Sequence, residues 1–162
     1  MFLIYTLVVI DFTLINDNFG RSISNIFLAN KNDVAEYILQ KTNIIPFDTI
    51  KLFLKAYKEG SLEKHVVLEN IVGNFFAFIP FAFFVPTIFS HINSAFKFFV
   101  FISILVICIE LLQLMFLTGS ADIDDFILNV AGAMLGYAVL QIPILKRNFK
   151  KFIFGENNES KS

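Results

Sequence analysis

Hydrophobic residues run along this chain in long blocks, and the polar ones fall between the blocks or in stripes at helical spacing. Four blocks approach the roughly 20 apolar residues that a helix needs to cross a bilayer. The first, residues 1–15 (MFLIYTLVVIDFTLI), is short for a span and is read as one over about 1–17, with either Asn16 to Phe19 extending it or its true start upstream. The others cover 66–89, 95–117 and 123–145, with Pro80 and Pro86 inside the second. Proline removes a backbone donor and kinks a helix. In a membrane, neighbouring groups must then satisfy the carbonyls it frees. The pattern predicts an all-α, polytopic transmembrane helix bundle of about four spans, in one domain over 1–162, with a polar tail at 146–162. No basic residue precedes the first block and no small-residue cleavage pattern follows it, so a removable signal peptide is disfavoured.

The long polar segment, 16–65, holds seven Lys/Arg, six acidic residues and the Asn-rich turns NDN and NKND. Within it NIIPF, Asn43 to Phe47, is an extended X-Pro stretch suited to a loop on the membrane surface. Ile50, Phe53, Leu54 and Tyr57 then recur at helical spacing with Lys51, Lys55 and Lys58 between them. That predicts an amphipathic helix lying in the membrane interface, the alternative being a soluble helix packed on the loop.

The apolar blocks carry polar stripes of their own. Asn70, Gly73 and Asn74 share a face, the glycine permitting close approach where the amides point inward. Ser103, Val106, Glu110, Gln113 and Leu117 follow at intervals of 3, 4, 3, 4, and so do Asp122, Asp125, Asn129, Gly132 and Gly136. The inner half of the last stripe, GAMLG, is a small-xxx-small packing motif. Asp124 falls off this face and suits an N-cap role at the helix start, where carboxylates are favoured. Spans that alternate in direction put the start of the second, the end of the third and the start of the fourth on one side. Asn74, Glu110 and Asn129 then lie about 10 Å below their helix ends. An ionisable group in lipid is a functional-site hypothesis by default; Asp11, in the first block, is better read as pairing or snorkelling.

Composition agrees with a bilayer protein: 56% of residues are hydrophobic and only 17% are charged. A net charge of −1 with scattered basic residues leaves no nucleic-acid footprint. The lone Cys108 excludes an intrachain disulfide, and His65 and His91 stand too far apart to suggest a thiolate metal site. The 22 Phe residues accompany abundant Ile, Asn and Lys, which points to compositional drift rather than an aromatic site. No Walker loop, GxGxxG, HExxH or GxSxG occurs. Lys97 and the Lys146, Arg147, Lys150, Lys151 patch share one side, so positive-inside counting favours cytoplasmic termini and an outward polar cluster, against the seven Lys/Arg of 16–65, which nearby acids almost balance.

From NIIPF to Tyr137 the chain resembles the VanZ-like family of small bacterial membrane proteins. Three blocks carry the resemblance in order: NIIPF; Asn70, Gly73, Asn74, Phe78, Pro80 and Phe81 of ENIVGNFFAFIPF; and ELLQ followed by DIDDFILNVAGAMLGY. In the last block the matching residues are Glu110, Gln113, Asp122, Asp124, Asp125, Asn129, Gly132 and Gly136. Two departures stand out. Ala82 replaces a common glycine, and the turn TGSADIDD lacks an arginine that many members place before the aspartates. The resemblance implies a multi-pass protein of the bacterial plasma membrane and cell envelope, associated with glycopeptide (chiefly teicoplanin) resistance or envelope stress. It implies no settled chemistry, and fold-level likeness supplies none.

Three readings of the cluster follow. In the first, Asn70, Asn74, Glu110, Gln113, Asp122, Asp124, Asp125 and Asn129 bind a polar or lipid-linked ligand, such as an envelope precursor or a glycolipid. In the second, the chain is an enzyme acting on a lipid-linked phosphate or diphosphate. Glu110, Asp122 and Asp125 are then the candidate catalytic residues, through a divalent metal or through acid–base chemistry. No metal motif or other cofactor signature is evident in support of it. In the third, the chain is a non-catalytic assembly subunit that oligomerises or meets a partner through Gly73, Gly132, Gly136 and the amphipathic helix.

Overall fold

The computed structural model describes residues 1–11, 13 and 31–155, the side chains of 31–33 excepted. In chain order they form α1 (Phe2–Ile10), α2 (Lys31–Gln40), β1 (Thr42–Asn43), α3 (Asp48–Lys58), α4 (Lys64–Ala77), α5 (Ile79–Ile88), α6 (Ala95–Met115), β2 (Ala121–Asp122), α7 (Ile123–Leu140) and α8 (Pro143–Phe154). Among the described residues three helical stretches are long and apolar enough to cross a membrane: Lys64–Ile88 (α4 with α5), α6 and α7. At about 1.5 Å per residue they reach roughly 37, 32 and 27 Å, against a hydrocarbon core of about 30 Å. The expected first span is described over α1, Asp11 and Thr13; the rest of it lies outside the described residues.

Pro80 breaks the second span into α4 and α5. The backbone N–H of Phe81 donates to Phe78 at 3.2 Å rather than to Ala77, so the Ala77 carbonyl loses its helical donor. The Tyr5 hydroxyl of α1 donates to that carbonyl instead. An aromatic cluster seals the junction, with Phe2 against Phe81 and Tyr5 against Phe81 at centroid distances of 5.8 and 5.2 Å. The acceptor left open at the break thus finds its donor on a neighbouring helix.

α7 lies against α4, α5 and α6 and is shaped for close approach. A Cβ added to Gly132 would stand 1.7 Å from the Phe75 carbonyl oxygen, and one added to Gly136 would stand 2.9 Å from that of Ile79. The GAMLG stripe therefore seats α7 directly on the break between α4 and α5. Phe78, Phe81, Ala82 and Val85 meet Phe98, Ile102 and Val106 of α6 and Val130, Ala133 and Tyr137 of α7 in the core. The rings of Phe98 and Tyr137 stack at 5.1 Å. Ile104, Ile107, Leu111 and Met115 are exposed along α6, the surface a bilayer would cover.

The second stretch runs over 64–88 where 66–89 was expected, and the third and fourth end early. The third span stops at Met115 rather than at residue 117, because the chain turns out through Leu117, whose φ is +55°. Thr118 N–H donates to Gln113 O at 2.9 Å and Leu117 N–H to Leu114 O at 3.3 Å, the paired bonds of a Schellman motif. The fourth span stops at Leu140 rather than at 145. Pro143 lacks the N–H needed to continue that helix but suits the first turn of a new one. Residues 143–154 accordingly form α8, where a polar tail from 146 was expected. Residues 156–162 of that tail lie outside the described residues.

At the other end of the bundle, β1 and β2 pair in parallel, Thr42 with Ala121 and Asn43 with Asp122. This fixes the NIIPF loop over the start of α7. The predicted amphipathic helix is α3, whose Ile50 and Phe53 are half-buried while Leu54 and Tyr57 are exposed.

Candidate functional site

The polar stripes of α4, α6 and α7 converge at the loop end of the bundle. Asn74, Glu110, Gln113, Asp125 and Asn129 line one enclosed pocket, together with Thr13 and an apolar floor of Phe78, Val106 and Ile109. Each sits there because its helix places it within about three turns of the shared end, on the face turned towards the neighbouring helices. The Asn74 amide donates to Asp125 Oδ1. Gln113 Nε2 reaches across to the Thr13 carbonyl at 2.7 Å, which ties α6 to the end of the α1 segment. Glu110 is 8% exposed and its Oε2 accepts from the backbone N–H of Asp122 at 3.2 Å. Asn129 is 5% exposed, and its Oδ1 has no hydrogen-bond partner among the described residues. The pocket volume is about 10 Å³, the room that one water or one hydroxyl needs.

Glu110 also lines a second space. An apolar groove of about 240 Å³ opens beside the pocket, walled by Ile44, Ile107, Leu111, Ile123 and Phe126, with Glu110 and Asp122 at its polar end. Ile107 and Leu111 belong to the exposed face of α6, so the groove opens sideways, where lipid chains would lie.

The three aspartates do three different things. Asp122 is the N-cap of α7: its Oδ1 accepts from Asp124 N–H at 2.8 Å. Its carboxylate also accepts from Asn43 Nδ2 at 3.0 Å and from the Thr49 hydroxyl. Asp124, expected to cap its own helix, caps a different one. It is fully buried, and its two oxygens accept from the backbone N–H groups of Phe47 and, at 3.0 Å, of Ile50, in the first turn of α3. Phe47 holds a left-handed conformation, φ +67°, which a non-glycine residue keeps only under constraint. The Asp124 bond to its amide supplies one. Asp125 alone of the three lines the pocket.

Asn70 is not brought to the pocket. Its side-chain amide turns back to the Val66 carbonyl of its own helix at 2.8 Å, a local bond that membrane helices favour. Gly73 sits half-buried on the same helix. Pattern reading marked Asn43 only as the start of NIIPF, and gave no site role to Thr13, Thr49 or Tyr37, whose hydroxyl donates to the Gly119 carbonyl at 2.7 Å in the turn before β2. Thr49 had a signal too, a hydroxyl residue in the first turn of a helix that starts on Asp48. Cys108 is exposed, and His65 lies 3.1 Å from Glu63 on the surface. Among the described residues no group of three or more His, Cys, Asp or Glu is placed to hold a metal ion.

A family model described as VanZ/LLP1 matches residues 2–146. The chain belongs to the VanZ/LLP1 family. The matched range takes in every residue of the pocket, the groove and the aspartate clamp, and ends at Lys146, in the first turn of α8. No curated protein and no solved structure matches the chain. In this VanZ-family protein, then, the site is defined by its geometry: a clamped loop, a lateral apolar groove, and a small polar pocket that meets the groove at Glu110.

Proposed function

We propose that this VanZ-family protein works in the bacterial plasma membrane as a receptor for an amphiphilic envelope lipid. The acyl or prenyl chain lies in the lateral groove, and the polar head is held at Glu110. The observation that carries this reading is the position of Glu110 in the wall between an apolar groove and a polar pocket. A ligand with both characters is the one that uses both surfaces. The donor set narrows the head. Carboxylates and amide oxygens accept hydrogen bonds, so a hydroxyl-bearing sugar head suits them directly, whereas a phosphate would need a cation between. A glycolipid is therefore preferred to a lipid diphosphate. The pocket accommodates one hydroxyl or water of the head, shared among Glu110, Asp125 and Asn129. Asp122 and Asp124 hold the loop that roofs the groove. This places the head on the extracytoplasmic side, as the basic residues near the other end of the bundle suggest. Such binding is compatible with the family's association with glycopeptide resistance.

The test is photo-crosslinking of the purified full chain with a diazirine-bearing glycolipid. Labelling is expected at Ile107 or Leu111. Glu110→Gln and Asp125→Asn should each reduce it about tenfold, the loss of one hydrogen bond to a charged group, with the melting temperature preserved. Ile107→Trp should block it by filling the groove. Equal labelling of wild type and all three variants would sink the proposal. Metal-dependent release of phosphate from a lipid diphosphate would replace it with the enzymatic reading.

A further inference from the structure

α8 lies at the end of the bundle remote from this site. Its Phe149 ring packs edge-on against Phe83 and Phe84 at 5.5 and 5.4 Å, close to the end of α5. Phe152 and Ile153 line a cavity with Met1, Phe2 and Ile88 at the same end. Around the helix, Lys146, Arg147, Lys150 and Lys151 fall at i, i+1, i+4, i+5 and so occupy one face. The helix has no acidic residue. These four basic residues border a concavity of about 500 Å³ that runs from Pro143 to Gly155. The Lys146 ammonium is steadied by Gln141 Oε1 at 3.1 Å. Phe152 and Phe154 are 61% and 62% exposed, which for a soluble surface would be costly.

A helix whose basic residues gather on one side, with Phe154 the one aromatic among them, and which is anchored beside the ends of the apolar helices, belongs in the interface plane. Its apolar side chains then enter the acyl region and its cations meet the headgroups. We propose that the basic concavity of α8 is a binding site for the phosphate of anionic glycerophospholipids in the leaflet opposite the Glu110 site. Arg147 supplies the planar fork that grips phosphate in a bidentate way, and the lysines add point charges. The chemistry recognises a phosphate diester with a net negative headgroup and discriminates against zwitterionic choline lipids. The site is independent of the proposed ligand at Glu110, because the two share no residue.

The test is native mass spectrometry of the full chain in detergent with phosphatidylglycerol and phosphatidylcholine of identical acyl chains. Each basic residue near anionic lipid is worth about fivefold in retention, so at least about tenfold preference for phosphatidylglycerol is expected. The variant K146Q/R147Q/K150Q/K151Q should bring the two lipids to equal retention, and K146R/K150R/K151R should keep the preference. Millimolar inorganic phosphate should fail to displace the lipid. Equal retention of both lipids by the wild type overturns the proposal, as does an undiminished preference in the glutamine variant. Displacement by inorganic phosphate overturns it too, since the site would then serve the free anion.

Discussion

Replacing Asp124 tests whether the buried carboxylate is a clamp or a chemical group. Its two oxygens hold the amides of Phe47 and Ile50, 77 and 74 residues away in sequence, and the side chain has no exposed surface. Hydrogen bonds to a charged acceptor contribute about 1.5 to 3 kcal/mol each. Phe47 is 52% exposed, so water can reach its amide once the carboxylate is gone and offset part of the loss. Asp124→Ala should therefore destabilise the docked loop by about 3 kcal/mol, and Asp124→Asn, which keeps one acceptor oxygen, by about half that. At about 1.4 kcal/mol per decade, hydrogen exchange at the Phe47 and Ile50 amides should speed up roughly 100-fold in the alanine variant and roughly tenfold in the asparagine variant. Amides in the middle of α6 should be unaffected, because opening the loop does not unpack the core. Exchange at Phe47 and Ile50 that stays within twofold of wild type, in a chain that remains folded, would refute the clamp. Loss of glycolipid labelling in Asp124→Ala with no change in exchange would make Asp124 a ligand contact instead.

The glycine stripe predicts a graded response. Gly132→Ala needs the Phe75 carbonyl to retreat by more than an ångström and should cost about 3 kcal/mol or prevent assembly of α7 on α4. Gly136→Ala needs only a few tenths of an ångström from Ile79 and Ala82, and should cost about 1 kcal/mol; thermal melts in detergent rank the two. Tyr5→Phe removes the donor to the Ala77 carbonyl while keeping the ring against Phe81, so a loss of about 1 kcal/mol is expected in the same assay. No loss in Tyr5→Phe would mean that another donor serves the carbonyl freed at Pro80.

What the sequence showed and what it hid divide along one physical line. A polar residue inside an apolar run is conspicuous, and helical periodicity says which others share its face. Asn74, Glu110, Gln113, Asp125 and Asn129 were legible in this way, as were the close approach at Gly132 and the kink at Pro80. Partners that are backbone amides carry no side-chain signature. Asp124 reads as off-face on its own helix, and nothing in the chain says that the donors it serves are at Phe47 and Ile50. Asn70 has the right spacing for the cluster, but a short amide can bond its own i−4 carbonyl, and that local bond won. The end of the last span was hidden for a related reason. Ile142, Ile144 and Leu145 continue the apolar run past Pro143, so hydropathy alone could not separate a span from an interfacial helix that starts on a proline.

The carboxylates of this protein form a scaffold and a site in series, and Asp122 is where the two join. Its side chain holds Asn43 and Thr49 of the loop and caps α7, so both of its oxygens already accept from protein donors. Its backbone N–H, one atom group away, is what Glu110 accepts from. The position of Glu110 in the wall of the groove therefore depends on the path of the chain through Asp122. That path depends in turn on the β1–β2 pairing and on Asp124 holding the start of α3. A change in the loop reaches Glu110 through two hydrogen-bonded steps without any ligand contact by Asp122 or Asp124. Loss of activity on replacing these two aspartates would consequently not identify them as chemical groups. Glu110 and Asp125 line the pocket and also accept from the Asp122 N–H and the Asn74 amide, so the variants that separate binding from architecture are Glu110→Gln and Asp125→Asn, each of which keeps an acceptor oxygen for that donor.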